Sequence, residues 1–397
     1  MLSLARKAAP KAARRAAEVL LSASIDHGAA ARPVAPGPAA PPTGEGVVID
    51  DAAARIGPLP LVLRPDPSKS AAGGAELAAW IEARRPWIED RLLRHGAILF
   101  RGFCVFDPAG FERVIRGVSP DLKRDYLGTS PRDALTPCVF SASELPAVYP
   151  IPQHCEMSFL PEPPARLFFG CLVAPGGPGG ETPLVDFGKV FRDLDPRIRD
   201  RFVAKGVRII RNYAGPEGGS RFDLWKLKRW DEMFGTTDRA AVEARCRANG
   251  FEFTWRPGGL LRLEHNQPAA RPHPVSGDPV WFNHSQVFHL SAAPGEYRRI
   301  IERRVDFLEV KLLARVASAM VAMKRRFVRT EDQAMHCTYG DGEEIPDREM
   351  EAVRDAIWAN MVFFPWRRGD VLAIDNARIA HGRMPYRGPR KIVVAWA

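Results

Sequence analysis

The sequence contains no pair of cysteines at CxxC spacing, no HExxH, and no uninterrupted apolar run of about eighteen residues. Its six cysteines, Cys104, Cys138, Cys155, Cys171, Cys246 and Cys337, are scattered along the chain. They read as reduced thiols of an intracellular protein rather than as a disulfide framework or a zinc cage. The absence of HExxH argues against a zinc hydrolase, and the short apolar runs exclude a spanning helix. Acidic residues are in deficit: 57 Lys and Arg against 47 Asp and Glu leave a net charge of +10. That excess alone would suggest a polyanion. No RNP-like, zinc-finger or helix-turn-helix signature accompanies it, so nucleic acid is not the expected partner, and an anionic small substrate accounts for the charge equally well.

What is present is a chain of 397 residues, 46% hydrophobic and 26% charged, long enough to bury a core without staples. Residues 1–25 alternate Ala, Leu and basic side chains in a helical pattern, and residues 29–45 are Pro, Ala and Gly with almost no bulky side chain. Residues 1–45 are therefore expected to be a basic helix followed by a disordered linker, and residues 46–397 a single domain. The leading helix has the composition of an organelle transit peptide and equally of a docking helix, so the expected compartment is the cytoplasm, with an organelle as the alternative. There is no internal repeat.

Within the body, apolar spacing predicts helices over 76–94, 187–204, 237–249, 297–324 and 347–360, with Asp186 and Thr236-Thr237 as caps. Short apolar runs at 97–103, 166–174, 280–283, 371–374 and 391–396 read as buried strands. Strands separated by long irregular insertions, without regular βαβ alternation, point to an α+β fold. The expected architecture is a jelly-roll core, a double-stranded β-helix of cupin type, with flanking helices.

The segment Gln153-His154-Cys155-Glu156 places an imidazole and a carboxylate two residues apart, on the same side of a strand end. These are two of the three ligands of a two-His-one-carboxylate facial triad. HxE alone arises often by chance. The C-terminal segment adds weight: Gly369-Asp370-Val371-Leu372-Ala373-Ile374-Asp375-Asn376 reads as a turn and a strand, His381-Gly382-Arg383 follows, and Arg390 lies nine residues beyond His381. A histidine from one strand and an arginine from the next suit a chelating dicarboxylate, whose far end calls for a planar two-pronged cation.

The ordered set HxE, GGET (Gly179-Gly180-Glu181-Thr182), YGDG (Tyr339 to Gly342), GDVLAIDN and HGRMPYRGPRKIVVA resembles the taurine dioxygenase and TfdA family of Fe(II)/2-oxoglutarate-dependent oxygenases, within it most of all the syringomycin-type amino-acid β-hydroxylases. The resemblance runs from Pro58-Leu59-Pro60-Leu61 and the HGAILFRGF block to the C-terminus. It implies that His154, Glu156 and His381 are iron ligands, that Arg390 clamps the distal carboxylate of 2-oxoglutarate, and that Thr182 assists it. It further implies Fe(II), 2-oxoglutarate and O2 as the reaction's requirements. The expected activity is hydroxylation of an unactivated carbon in an amino-acid-like substrate, free or on a carrier protein, in secondary metabolism. Desaturation and ring closure are variants of the same chemistry, and a non-catalytic scaffold of the same fold is the alternative. Two departures matter. Glu156 stands where Asp is commoner, and its presence argues against halogenation. Val394 replaces the second arginine of sulfonate-binding members, which argues against a taurine-like substrate.

Asn283, Arg383 and Arg132 are candidate substrate contacts, with Arg378 a further cation near the third ligand; each arginine has a structural ion pair as the alternative. His284 and His289 read as structural, because a second metal site would need a carboxylate nearby. His265 reads as a surface-loop residue. The Tyr339 to Glu343 stretch reads as a tight turn, lacking the further carboxylates of a calcium loop.

Overall fold

In the computed structural model the described residues are 46–50, 59–68, 73–124, 132–216, 229–305 and 307–397. The expectations for residues 1–45 lie outside them. Helix and sheet are mixed, and no helix among the described residues is long and apolar enough to cross a membrane.

The major sheet has seven strands in the order Val47–Ile49, Leu61–Pro65, Ala97–Phe100, Val371–Asp375, Arg166–Val173, Lys391–Trp396 and Phe140–Ser141. The N- and C-terminal halves of the domain thus interleave within one sheet. Its central strands are apolar on both faces, and the period of two sorts their side chains into two cores. Leu167, Phe169, Leu372, Ile374 and Val394 point to one side. Phe168, Leu172, Val371, Ala373, Val393 and Ala395 point to the other, where they meet the helices Gly74–Ala83, Arg85–His95 and Pro108–Val118.

A minor sheet on the inner side carries Met361–Val362, Leu184–Asp186, Ile379–Arg383 and Ile151–His154, in that order. A covering sheet follows, ordered Met335–Tyr339, Val207–Tyr213, Leu260–Gln267 and Glu252–Arg256. The short helix Ser285–Phe288 packs against both the Ile151–His154 and the Val207–Tyr213 strands.

Several predicted helices are interrupted, each for a local reason. The 76–94 segment divides at Arg84, whose φ of −126° leaves the helical region before Pro86 starts the second helix, and Gly96 then ends that helix in the left-handed conformation. The 187–204 segment divides before Pro196, which opens Pro196–Lys205 at its N-terminus, while Asp186 caps Phe187–Asp193 as expected. The 297–324 segment is two helices, Ala292–Arg303 and Leu308–Phe327. The cap of Arg239–Ala248 is Asp238 rather than Thr236 or Thr237; its carboxylate accepts from Ala240 N, and Thr236 accepts from Asp238 N instead. His265 is not on a surface loop. It lies in the Leu260–Gln267 strand, half-buried against Phe251.

Candidate metal centre

His154 ends its strand, and Glu156 follows where the chain turns away. Directly after it, Met157 adopts a φ of +52°, a conformation a side-chain-bearing residue takes only when its surroundings hold it there. Asn376 supplies part of that hold. Its Oδ1 accepts from Glu156 N at 2.7 Å, while its Nδ2 donates to Glu156 O at 3.0 Å and Pro164 O at 2.8 Å. Cys155 points the opposite way into the apolar core, and burial drives its thiol well above the ordinary range, so it stays protonated.

His381 sits in the middle of Ile379–Arg383, directly across the ladder from His154. The two ring centroids are 4.5 Å apart, and His381 Nε2 is 3.9 Å from Glu156 Oε2. One ligand atom from each of His154, Glu156 and His381 lies within 4.8 Å of the others. The neighbour Gly382 is required by close approach, since a Cβ there would stand 2.5 Å from Ile151 O. Burial lowers the pKa of both imidazoles, which keeps them neutral with a lone pair to offer. The His154 Nδ1 to Pro152 O contact of 2.9 Å fixes its tautomer: a carbonyl only accepts, so Nδ1 carries the proton and Nε2 keeps the lone pair.

Arg132 Nη2 donates to Glu156 Oε2 at 2.8 Å, with both side chains buried. This arginine is committed to the carboxylate of the centre rather than waiting for substrate. Arg390 donates through Nε to Gly180 O at 2.8 Å and through Nη2 to Thr182 Oγ1 at 3.3 Å. Burial, with Arg383 close by, brings its guanidinium down to about 10. Trp366 Nε1 also donates to Thr182 Oγ1, at 3.0 Å. Thr182 stands two residues before Leu184, which pairs with His381.

The other candidate substrate contacts need correction. Asn283 is fully buried and spends its amide on backbone, donating to Ala269 O at 2.6 Å and accepting from Ser285 N at 2.9 Å. Arg383 binds the carbonyls of Ser143, Leu145, Pro146 and Tyr149, fastening that loop to the minor sheet. Arg378 is paired with Asp186, its Nε 3.0 Å from Oδ1. Sequence reasoning missed Asn376, although it closes the GDVLAIDN motif. It also missed how near His284 comes: its ring is 5.4 Å from that of His154, and its Nδ1 is 2.6 Å from Ser158 Oγ.

A second histidine group also corrects the sequence reading, because the Tyr339 to Glu343 turn brings a carboxylate beside His289 and His336. His336 Nε2 is 3.0 Å from Glu344 Oε2, and the two rings are 5.1 Å apart. Its chemistry nevertheless differs from that of the first group. Leu290 N donates to His336 Nδ1 at 3.1 Å, so that nitrogen is unprotonated and Nε2 must carry the proton it gives to Glu344. His289 Nε2 likewise faces a carbonyl, Ile345 O, at 3.1 Å. Neither ring turns a lone pair toward a shared centre, whereas His154 does.

Residues 62–396 match the family model described as taurine catabolism dioxygenase TauD, TfdA family. The chain is 30% identical over 308 residues to the dapdiamide synthesis protein DdaC of Enterobacter agglomerans, covering 78% of this chain and 84% of that one. It is 27% identical over 319 residues to the clavaminate synthase-like protein At3g21360 of Arabidopsis thaliana, covering 79% and 85% respectively. Among solved structures it aligns with PvcB, described as an Fe, alpha-ketoglutarate dependent oxygenase from an isonitrile synthetic pathway, at 14% identity and a TM-score of 0.46, over 85% of each chain.

Proposed function

The chain belongs to the taurine catabolism dioxygenase TauD, TfdA family, and from that premise we propose that His154, Glu156 and His381 hold ferrous iron while Arg390 and Thr182 hold the far carboxylate of 2-oxoglutarate. The facing major and minor sheets are, in this reading, the two halves of a double-stranded β-helix. The observation that carries the proposal is the convergence of two neutral imidazoles and one carboxylate within 4.8 Å, each delivered by a separately fastened piece of backbone. Two nitrogens and one oxygen on one side of a metal are the donor set of the facial triad, which leaves positions open for small ligands.

When bound, iron and 2-oxoglutarate supply with dioxygen an oxidant able to take hydrogen from an unactivated carbon, the keto acid leaving as succinate and carbon dioxide. The residues of this chain position that chemistry. Thr182 Oγ1 already accepts from Trp366 and Arg390, so its own proton is left to donate to a carboxylate oxygen. Arg390 offers the planar fork that a carboxylate matches, in a half-buried setting where such a contact is stronger than in open water. Arg132 donates to one oxygen of Glu156 and so fixes the orientation in which that carboxylate would meet a metal. Phe169, 5.1 Å from the His381 ring, and Leu184 wall the centre against water.

The proposed reaction is hydroxylation of an amino-acid-like substrate, free or on a carrier protein. The relationship to a dapdiamide synthesis protein supports the substrate class. Glu156 supports hydroxylation over halogenation, because no ligand position is vacated for a halide. Anaerobic addition of Fe(II) and 2-oxoglutarate should give a weak visible charge-transfer band, and His381→Ala should abolish both this band and succinate formation. A band that survives the substitution would overturn the ligand assignment.

A further inference from the structure

Among the described residues, Arg211 is a buried charge without a counterpart. Arg211 lies in the Val207–Tyr213 strand and is fully buried, yet none of its three guanidinium nitrogens has a hydrogen-bond partner among the described residues. Every other buried arginine there is matched to an acceptor. Arg101 meets Asp370, Arg199 meets Asp200, Arg299 meets Asp355, Arg354 meets Glu351, and Arg383 meets four carbonyls. A guanidinium without an acceptor is costly to bury, because its N–H donors have left water and gained nothing directional in return. Cation–π contact offsets only part of that cost.

The surroundings say what is missing. The guanidinium carbon lies over the rings of Phe159, at 4.8 Å, and Phe251, at 4.9 Å. The ring of Tyr213 lies farther off, at 5.9 Å, so the guanidinium sits among three aromatic rings with no acceptor among the described residues. On the same face of the strand, two residues on, Tyr213 is buried beside this guanidinium, and its hydroxyl lies within reach of Arg211 without a well-formed hydrogen bond among the described residues. This face looks toward the candidate metal centre: Phe159 stacks edge-on to His284 at 5.3 Å, and His284 is 5.4 Å from His154. Two rings therefore separate Arg211 from the nearest proposed iron ligand. The cations that the sequence offered for a substrate carboxylate, Arg132, Arg378 and Arg383, are all spent elsewhere.

We propose that Arg211 and Tyr213 form an anion subsite that takes a carboxylate of the substrate, anchoring it so that a carbon some way along the molecule faces the metal. This inference rests on reading the neighbouring centre as the oxidising one. A carboxylate is flat and meets the guanidinium edge in its own plane with two parallel hydrogen bonds. A tetrahedral phosphate would bring further oxygens and charge among the apolar rings of Phe159 and Phe251 that adjoin the guanidinium. One negative charge also neutralises the one positive charge.

The test uses the full chain loaded under nitrogen with Fe(II) and 2-oxoglutarate, so that the Arg390 clamp is filled, and titrated with sodium acetate. Sodium phosphate and sodium chloride at matched ionic strength are the controls. Acetate should raise the melting temperature saturably, by about 2 °C or more, and the controls should not. Arg211→Met should lose this response and melt higher than the unsubstituted protein in acetate-free buffer, because the unmatched charge is gone. Tyr213→Phe, which removes only a hydroxyl, should weaken the acetate response, and it serves if the methionine variant does not fold. No acetate response in the unsubstituted protein, a response that persists in the Arg211→Met variant or is undiminished in the Tyr213→Phe variant, or a response to phosphate alone would overturn the proposal. The visible band is read in the same samples. A band without an acetate effect refutes the subsite and leaves the oxygenase reading standing; an Arg211-dependent acetate effect without a band does the reverse.

Discussion

Asn376 joins the two halves of the candidate centre more directly than any of the three proposed ligands does. Its amide binds Glu156 at both N and O and also reaches Pro164, 220 and 212 residues away in sequence. Replacing it leaves a buried N–H and two buried carbonyls without partners. Asn376→Ala should therefore cost about 3 kcal/mol, read from urea unfolding, and weaken Mn(II) binding by tenfold or more. Unchanged Mn(II) affinity would show that the Met157 turn holds Glu156 unaided. Arg132 is a related case. Sequence spacing alone left it open between substrate contact and ion pair, and its place against Glu156 was decided by folding.

Among the elements, the Arg166–Val173 strand explains how one run of apolar residues serves two purposes. Its alternate side chains enter different cores, Phe168 under the helices and Phe169 beside His381. Phe168→Ala should cost about 3–5 kcal/mol of stability while leaving metal binding intact in the protein that remains folded. Phe169→Ala should instead change the charge-transfer band. Equal effects of both substitutions on that band would contradict the division. The pairing of Ile379–Arg383 with Ile151–His154 is equally specific, because a shift by one residue would turn His381 to the other face. Gly382→Ala should force those strands apart against Ile151 O, and loss of Mn(II) binding measured by titration is the expected result. The apolar periodicity and the HxE spacing were legible in the sequence because both are local. Helix interruptions at Arg84 and before Pro196 were less so, since the apolar period continues across them and only the prolines, Pro86 and Pro196, mark the breaks in the sequence.

At the scale of the whole molecule, burial of neutral histidines sets the response to acid. His154, His284 and His381 are all lowered by burial, and His289 is brought to about 3, from an ordinary value of 6.5. A histidine whose pKa is depressed in the fold is protonated first in the unfolded chain, so the unfolded state gains protons as pH falls below 6.5. Stability of the metal-free protein is therefore full above pH 6.5 and should decline below it, by about 1.4 kcal/mol per pH unit for each such histidine. Urea unfolding at pH 7.0, 6.0 and 5.0 measures this slope; a flat profile to pH 5 would show that these rings accept protons inside the fold. Asp186 acts lower in the range. Burial alone would raise its carboxyl, but Arg378 overrides this and holds it below its usual value, so that pair's contribution is lost only as the carboxylate itself is protonated.

The sequence by itself determined the donor types, their order, and the strands that carry them, because ligand spacing and period-two burial are properties of short segments. Family resemblance extended that to the role expected of each residue. Tertiary structure alone decided which acceptors the buried arginines meet among the described residues, which histidine group has a lone pair to offer, and which amide ties Glu156 in place. Those outcomes depend on contacts between residues tens to hundreds of positions apart, and on the tautomers that such contacts fix, for which no local pattern leaves a trace.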